Sequence, residues 1–136
     1  MSNNTDYAAL VLRIGLGTMF VAHGLLKVLI YTLPGAAGFF EQVGFPGWLA
    51  YVVTYAEIGG GLLLLAGIGV RAVSLALISV LAGALVVHFG SGWVFSNPNG
   101  GWEYPAFLIV ASVVQALLGP GKFAVRLPQR STAVAA

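Results

Sequence analysis

Apolar residues run almost without interruption through four stretches, at about residues 7–31, 48–68, 71–93 and 102–118. None of them alternates strictly between apolar and polar positions, which sets aside a β-barrel. At about 1.5 Å of rise per residue, each stretch reaches or nearly reaches the ~30 Å hydrocarbon thickness of a bilayer. Backbone amides in lipid must pair within their own segment, so these runs predict helices. The expected fold is all-α: a four-helix transmembrane bundle with a short interfacial helix between helices one and two. That short piece is read from Phe39, Phe40 and Phe45 around Glu41 and Gln42, with residues 33–38 breaking the first helix and Pro46-Gly47 closing the segment. Gly67 and Gly69 predict a tight turn between helices two and three. Residues 95–101 are dense in turn formers, Pro105 suits a first helical turn, and Gly119-Pro120-Gly121 ends the last helix. The reading is one transmembrane domain, 1–121, followed by a loosely ordered basic cytoplasmic tail, 122–136.

Composition agrees with a bilayer as the partner. Of 136 residues, 59% are hydrophobic and 7% charged, against about 25% charged in a soluble domain. The net charge of +2, spread through apolar sequence, makes no nucleic-acid footprint. The chain contains no cysteine, which excludes disulfides, thiolate metal sites and thiol relays. Asp6 and the absence of Lys or Arg before Arg13 argue against a cleavable signal, so the first apolar run is expected to remain as a helix.

Two signals orient the bundle. Arg71, Lys122, Arg126 and Arg130, with Arg13 nearby, lie toward one end, which the positive-inside rule makes cytoplasmic together with both termini. Trp48, Trp93 and Trp102, with Tyr31, Tyr51 and Tyr104, fall toward the other end as an aromatic belt.

Charges inside a membrane need partners or water, so the few present carry the candidate chemistry. Arg13, Gly17, Phe20, Gly24 and Lys27 are spaced 4, 3, 4 and 3, which keeps them on one helix face. The glycines there read as a close helix contact, and Arg13 as a side chain that snorkels to the cytoplasmic surface. Glu57, about 13 Å below the outer end of helix two, lies at the level of His23 and within reach of Lys27. Gly59, Gly60 and Gly61 follow it and suggest close backbone approach. His88 and Glu103 sit toward the same outer mouth. His23, Lys27, Glu57, His88 and Glu103 are therefore the candidate ligand-binding or proton site, with a purely structural Lys27–Glu57 ion pair as the plainer alternative. His23, His88 and Glu57 could form a two-histidine, one-carboxylate metal site, but no metal-ligand spacing supports it, and no metal is expected. Gln115 reads as a helix–helix hydrogen bond. No catalytic constellation or cofactor motif is present, so a free-standing enzyme is not expected.

The order Arg13, Gly15, Phe20, His23, Gly24, Lys27, then residues 56–65 (AEIGGGLLLL), then Gly69-Val70-Arg71, resembles the DoxX family of small bacterial inner-membrane proteins. Glu103-Tyr104 and Gly119-Pro120-Gly121 fit the same pattern, although the family's Ser-Leu-Asp-like continuation is replaced here by residues 122–126. Arg13, Gly24, Gly61 and Arg71 are the family-motif positions. The resemblance implies a four-helix inner-membrane protein that acts as a membrane subunit or accessory of a quinone, sulfur or oxidative-stress redox system. It carries no built-in cofactor and takes a quinone-like ligand or a redox partner protein. In that reading His23 and Lys27 meet an oxygen of the ligand, Glu57 is their charge partner, and Trp93, Trp102 and Tyr104 cover its apolar part. The rival readings are a small proton-coupled transporter, working as a homo-oligomer, and a non-catalytic anchor for another protein.

Overall fold

The computed structural model describes residues 2–128, which fold into five helices with no strand among them. They are α1 (Asn3–Leu29), α2 (Leu33–Gln42), α3 (Trp48–Ala66), α4 (Val70–Phe89) and α5 (Glu103–Leu118). Residues 129–136, including Arg130, lie outside the described part. Of the helices, α1, α3 and α4 are long and apolar enough to cross a membrane. With its 16 residues, α5 extends about 24 Å, and it packs along α4 and α1 as the fourth member of the bundle.

The sequence pattern explains the main seam. Ala9, Arg13, Leu16, Gly17, Phe20 and Gly24 are buried on α1, and Ala50, Thr54, Glu57, Gly61 and Leu64 on α3. Both sets recur every three or four residues, so each forms a single stripe, and the stripes face each other. The glycines let the backbones meet. A Cβ built at Gly61 would sit 2.8 Å from the Gly17 carbonyl oxygen and 2.9 Å from the Val21 nitrogen. Only Gly61 of the glycine triplet has this role, because Gly59 has no atom within 4 Å and Gly60 faces Leu77 on α4. Leu16, Phe20, Leu64, Val70, Leu77, Leu81 and Ala111 fill the core between the helices. Large apolar side chains cover the outside, among them Val11, Phe107 and Leu117, each about 70% exposed. Such a surface suits lipid, where apolar exposure carries no hydrophobic penalty.

Four local features differ from the sequence expectation. Residues 33–38 do not simply interrupt the first helix but begin α2. The turn is made at Thr32, whose φ of 64° reverses the chain and whose hydroxyl oxygen accepts from the Gly35 amide at 3.2 Å; Pro34 then occupies the first turn, where its missing N–H leaves no bond unmade. The third long helix stops at Phe89, short of Trp93, and the following loop turns through Ser91 and Asn97.

Arg13 does not snorkel. It is 1% exposed and donates to the carbonyl oxygens of Leu64 (3.0 Å), Leu65 (2.9 Å) and Lys122 (2.9 Å). At the end of α3 the helical donors run out; the Leu64 carbonyl accepts also from the Gly67 cap amide at 3.1 Å, and the guanidinium reaches it and Leu65 from the side. The chain after α5 is likewise not loose where it is described. The Lys122 amide donates to the Asp6 carbonyl (3.1 Å) and the Val125 amide to that of Ala66 (3.0 Å).

Candidate functional site: an ion pair on the wall of an apolar cavity

One turn of α1 separates His23 from Lys27, and the α1–α3 stripe brings Lys27 over Glu57. The Lys27 Nζ donates to Glu57 Oε2 at 2.6 Å, with the two side chains 18% and 8% exposed. A lone charge at such a depth is costly, so each makes the other tolerable. The same ammonium reaches back to the His23 carbonyl at 3.4 Å. The His23 Nδ1–H donates to the Met19 carbonyl at 2.7 Å, and its ring stacks on Tyr104 of α5 at 5.9 Å between centroids.

The pair opens onto a cavity of about 800 Å³ between α3 and α4, capped at one end by α2. That volume lies within the ~300–1,000 Å³ of small-molecule sites. His23, Lys27, Glu57 and His88 all line it. The rest is apolar or small: Phe39, Phe40 and Phe45 form the cap, and Val53, Ala56, Val80 and Ala84 the flanks. From His88 the cavity continues along α4 past Leu77 to Val73, a rise of about 22 Å. Apart from His23, Lys27, Glu57 and His88, the polar side chain lining it among the described residues is Ser79, whose hydroxyl donates to the Ala76 carbonyl at 2.6 Å, so most of the slot is hydrocarbon-like.

Four of the five candidate residues thus share one cavity. Glu103 stands apart, its Oε1 accepting from the Phe95 amide at 3.0 Å, which fixes the α4–α5 loop. The aromatic residues also fall elsewhere than expected. Trp93 and Trp102 meet edge to face at 4.5 Å, with Phe89 against Trp102, and neither lines the large cavity, because the loop folds them onto each other. Tyr104 lines a second, smaller cavity instead. The sequence reading did not assign Phe39, Phe40 and Phe45 to the site. Their clustering around two polar residues signalled an amphipathic segment, but only the fold shows what it covers. Among the described residues, no group of three His, Asp or Glu side chains is disposed to hold a metal ion.

Of the family-motif positions, Gly24 and Gly61 belong to the α1–α3 seam, where a Cβ at Gly24 would collide with Ile58. Arg71 places its guanidinium against the Gly119 backbone at the end of α5. Gln115 is bonded within that same end, its Nε2 donating to the Gly119 carbonyl at 2.9 Å, rather than between helices.

The chain is similar to "Putative oxidoreductase CatD" of Bacillus subtilis (strain 168), with 30% identity over 119 residues covering 88% of this chain and 84% of that protein. No solved structure matches it. The DoxX family model matches residues 8–90, a span that includes the α1–α3 seam, the ion pair and the whole α3–α4 cavity wall. This chain is a membrane protein of the DoxX family.

Proposed function

We propose that the protein is a membrane subunit or accessory of a redox system, in which the cavity holds the head group of a quinone-like amphipathic ligand beside Lys27 and Glu57. The observation that carries this reading is one ion pair on the wall of a long, otherwise largely apolar cavity. Such a site matches a molecule with one polar end and one apolar end. The Lys27 ammonium can donate to a ligand oxygen, and Glu57 holds that ammonium in place and can accept a proton. The likeness to CatD, named a "Putative oxidoreductase", supports a redox context. In this reading the electrons are exchanged with a redox partner protein. The setting we propose is the bacterial inner membrane, with Arg71, Lys122 and Arg126 on the cytoplasmic side and the ion-pair end of the bundle toward the periplasm. The engagement of Glu57 by Lys27 weighs against a transporter built on a free carboxylate.

Equilibrium binding of a short-chain quinone analogue to the purified protein in nanodiscs tests the reading. Glu57→Gln and Lys27→Met should each weaken binding at least about tenfold, equivalent to ~1.4 kcal/mol. Unchanged affinity in both variants would remove the ion pair from the ligand site.

A further inference from the structure

Beside the large cavity lies a second one of about 300 Å³, formed by the α4–α5 loop and the adjoining ends of α1, α4 and α5. It is walled by Phe95, Gly100, Gly101, Tyr104 and Pro105, and by two residues that also line the large cavity, His23 and His88. The two imidazoles therefore form the partition between a chamber at the loop end of the bundle and the membrane-embedded slot.

Hydrogen bonding fixes how these rings are presented. Each Nδ1 faces a backbone carbonyl, that of Met19 for His23 (2.7 Å) and that of Asn99 for His88 (3.1 Å). A carbonyl oxygen can only accept, so Nδ1 carries the proton in both rings. In the neutral ring Nε2 is then the atom with a free lone pair, and among the described residues it has no hydrogen-bond partner in either histidine. The charged or titratable groups around the partition are Lys27 on α1, Glu57 on α3 and Tyr104 on α5. A partition with two imine nitrogens and an ion pair behind it attracts water, whereas the slot beyond it is lined mainly by Val, Ala, Leu and Phe, with Ser79 bonded back to its own helix.

We propose that the smaller cavity is the aqueous port of the site. Water and protons enter it between the α4–α5 loop and Tyr104 and reach the Lys27–Glu57 pair past His23 and His88, while an amphipathic ligand enters from the bilayer through the α3–α4 side. This assignment rests on the ligand reading above for its purpose but not for its test, which uses no quinone.

The chain has no cysteine, so a single introduced thiol reports cleanly. Ala56→Cys places one on the large cavity wall beside Glu57 and leaves the ion pair intact. A small, membrane-impermeant methanethiosulfonate should modify this thiol in proteoliposomes. Adding His88→Trp, which fills the neck, should slow the reaction at least tenfold. Adding Tyr104→Ala, which widens the port, should speed it several-fold. A lipid-soluble maleimide should react at similar rates in all three proteins, which shows that each is folded. The port is overturned if the hydrophilic reagent never reaches residue 56, or if its rate ignores both neck substitutions. Loss of the quinone reading alone, with labelling as expected, would leave the port standing without its proposed ligand.

Discussion

Two substitutions of glycine by alanine, two residues apart and on opposite faces of α3, should act with opposite signs. At Gly61 the new Cβ would lie 2.7 Å from Val21 Cγ2, 2.8 Å from the Gly17 oxygen and 2.9 Å from the Val21 nitrogen, where ordinary contact begins at 3.4 Å. Two of those three atoms are α1 backbone, so a rotamer change cannot relieve the overlap and the helices must separate. Overpacking of this kind costs about 1–3 kcal/mol. At Gly59 nothing lies within 4 Å and the position is exposed, so alanine only gains helix propensity, up to about 1 kcal/mol. The two variants should therefore differ by about 2 kcal/mol or more, which is roughly a thirtyfold change in the folding equilibrium. Reversible unfolding in mixed detergent micelles, followed by far-ultraviolet circular dichroism, measures the difference. If Gly61→Ala is as stable as the wild type, or Gly59→Ala loses as much as Gly61→Ala, the α1–α3 seam is not the close-packed contact described here.

Three further outcomes follow from the same geometry. Lys27→Met leaves the Glu57 carboxylate without its cation and should lower stability by about 3 kcal/mol, the low end of the range for breaking a buried pair; the double variant Lys27→Met/Glu57→Gln should recover at least 1 kcal/mol of that loss, and strict additivity in the double-mutant cycle would show that the two side chains are not coupled. Arg13→Met removes three hydrogen bonds to carbonyls, each worth about 1.5–3 kcal/mol in charge-assisted form and not fully additive. The same change should expose the chain after Gly121 to limited proteolysis, and a cleavage pattern like the wild type's would mean that Arg13 does not hold this segment. Tyr104→Phe keeps the ring on His23 and gives up only the 3.6 Å contact to the Met19 sulfur, so melting temperature should hardly move.

The parts of the molecule that were legible from sequence are those set by one helix at a time. Apolar runs located α1, α3 and α4, and the 4, 3, 4, 3 spacing from Arg13 to Lys27 marked the face that α1 buries. Depth along two antiparallel helices sufficed to pair Lys27 with Glu57, because rise per residue is nearly constant. Features that depend on a third element were not legible. Arg13 looked free to reach solvent, since nothing in α1 shows that the carbonyls of Leu64 and Leu65 at the end of α3 lie beside it. The α3–α4 cavity was hidden because Gly60, Gly83 and Ala84 read equally well as packing residues or as the walls of a void. Trp93 and Trp102 were misassigned because the conformation of their loop, set by the Glu103 carboxylate on the Phe95 amide, has no periodic signature.

In the proposed site an amphipathic ligand lies between α3 and α4 with its head at the ion pair. Photocrosslinking with a quinone bearing an azide on its ring, followed by peptide mapping, tests it most directly. Adducts are predicted on Ala56, Ala84 or their cavity neighbours, suppressed by excess unlabelled quinone and lost in Glu57→Gln. Adducts confined to the lipid-facing residues of α5, such as Phe107 and Leu117, and insensitive to competition, would contradict it.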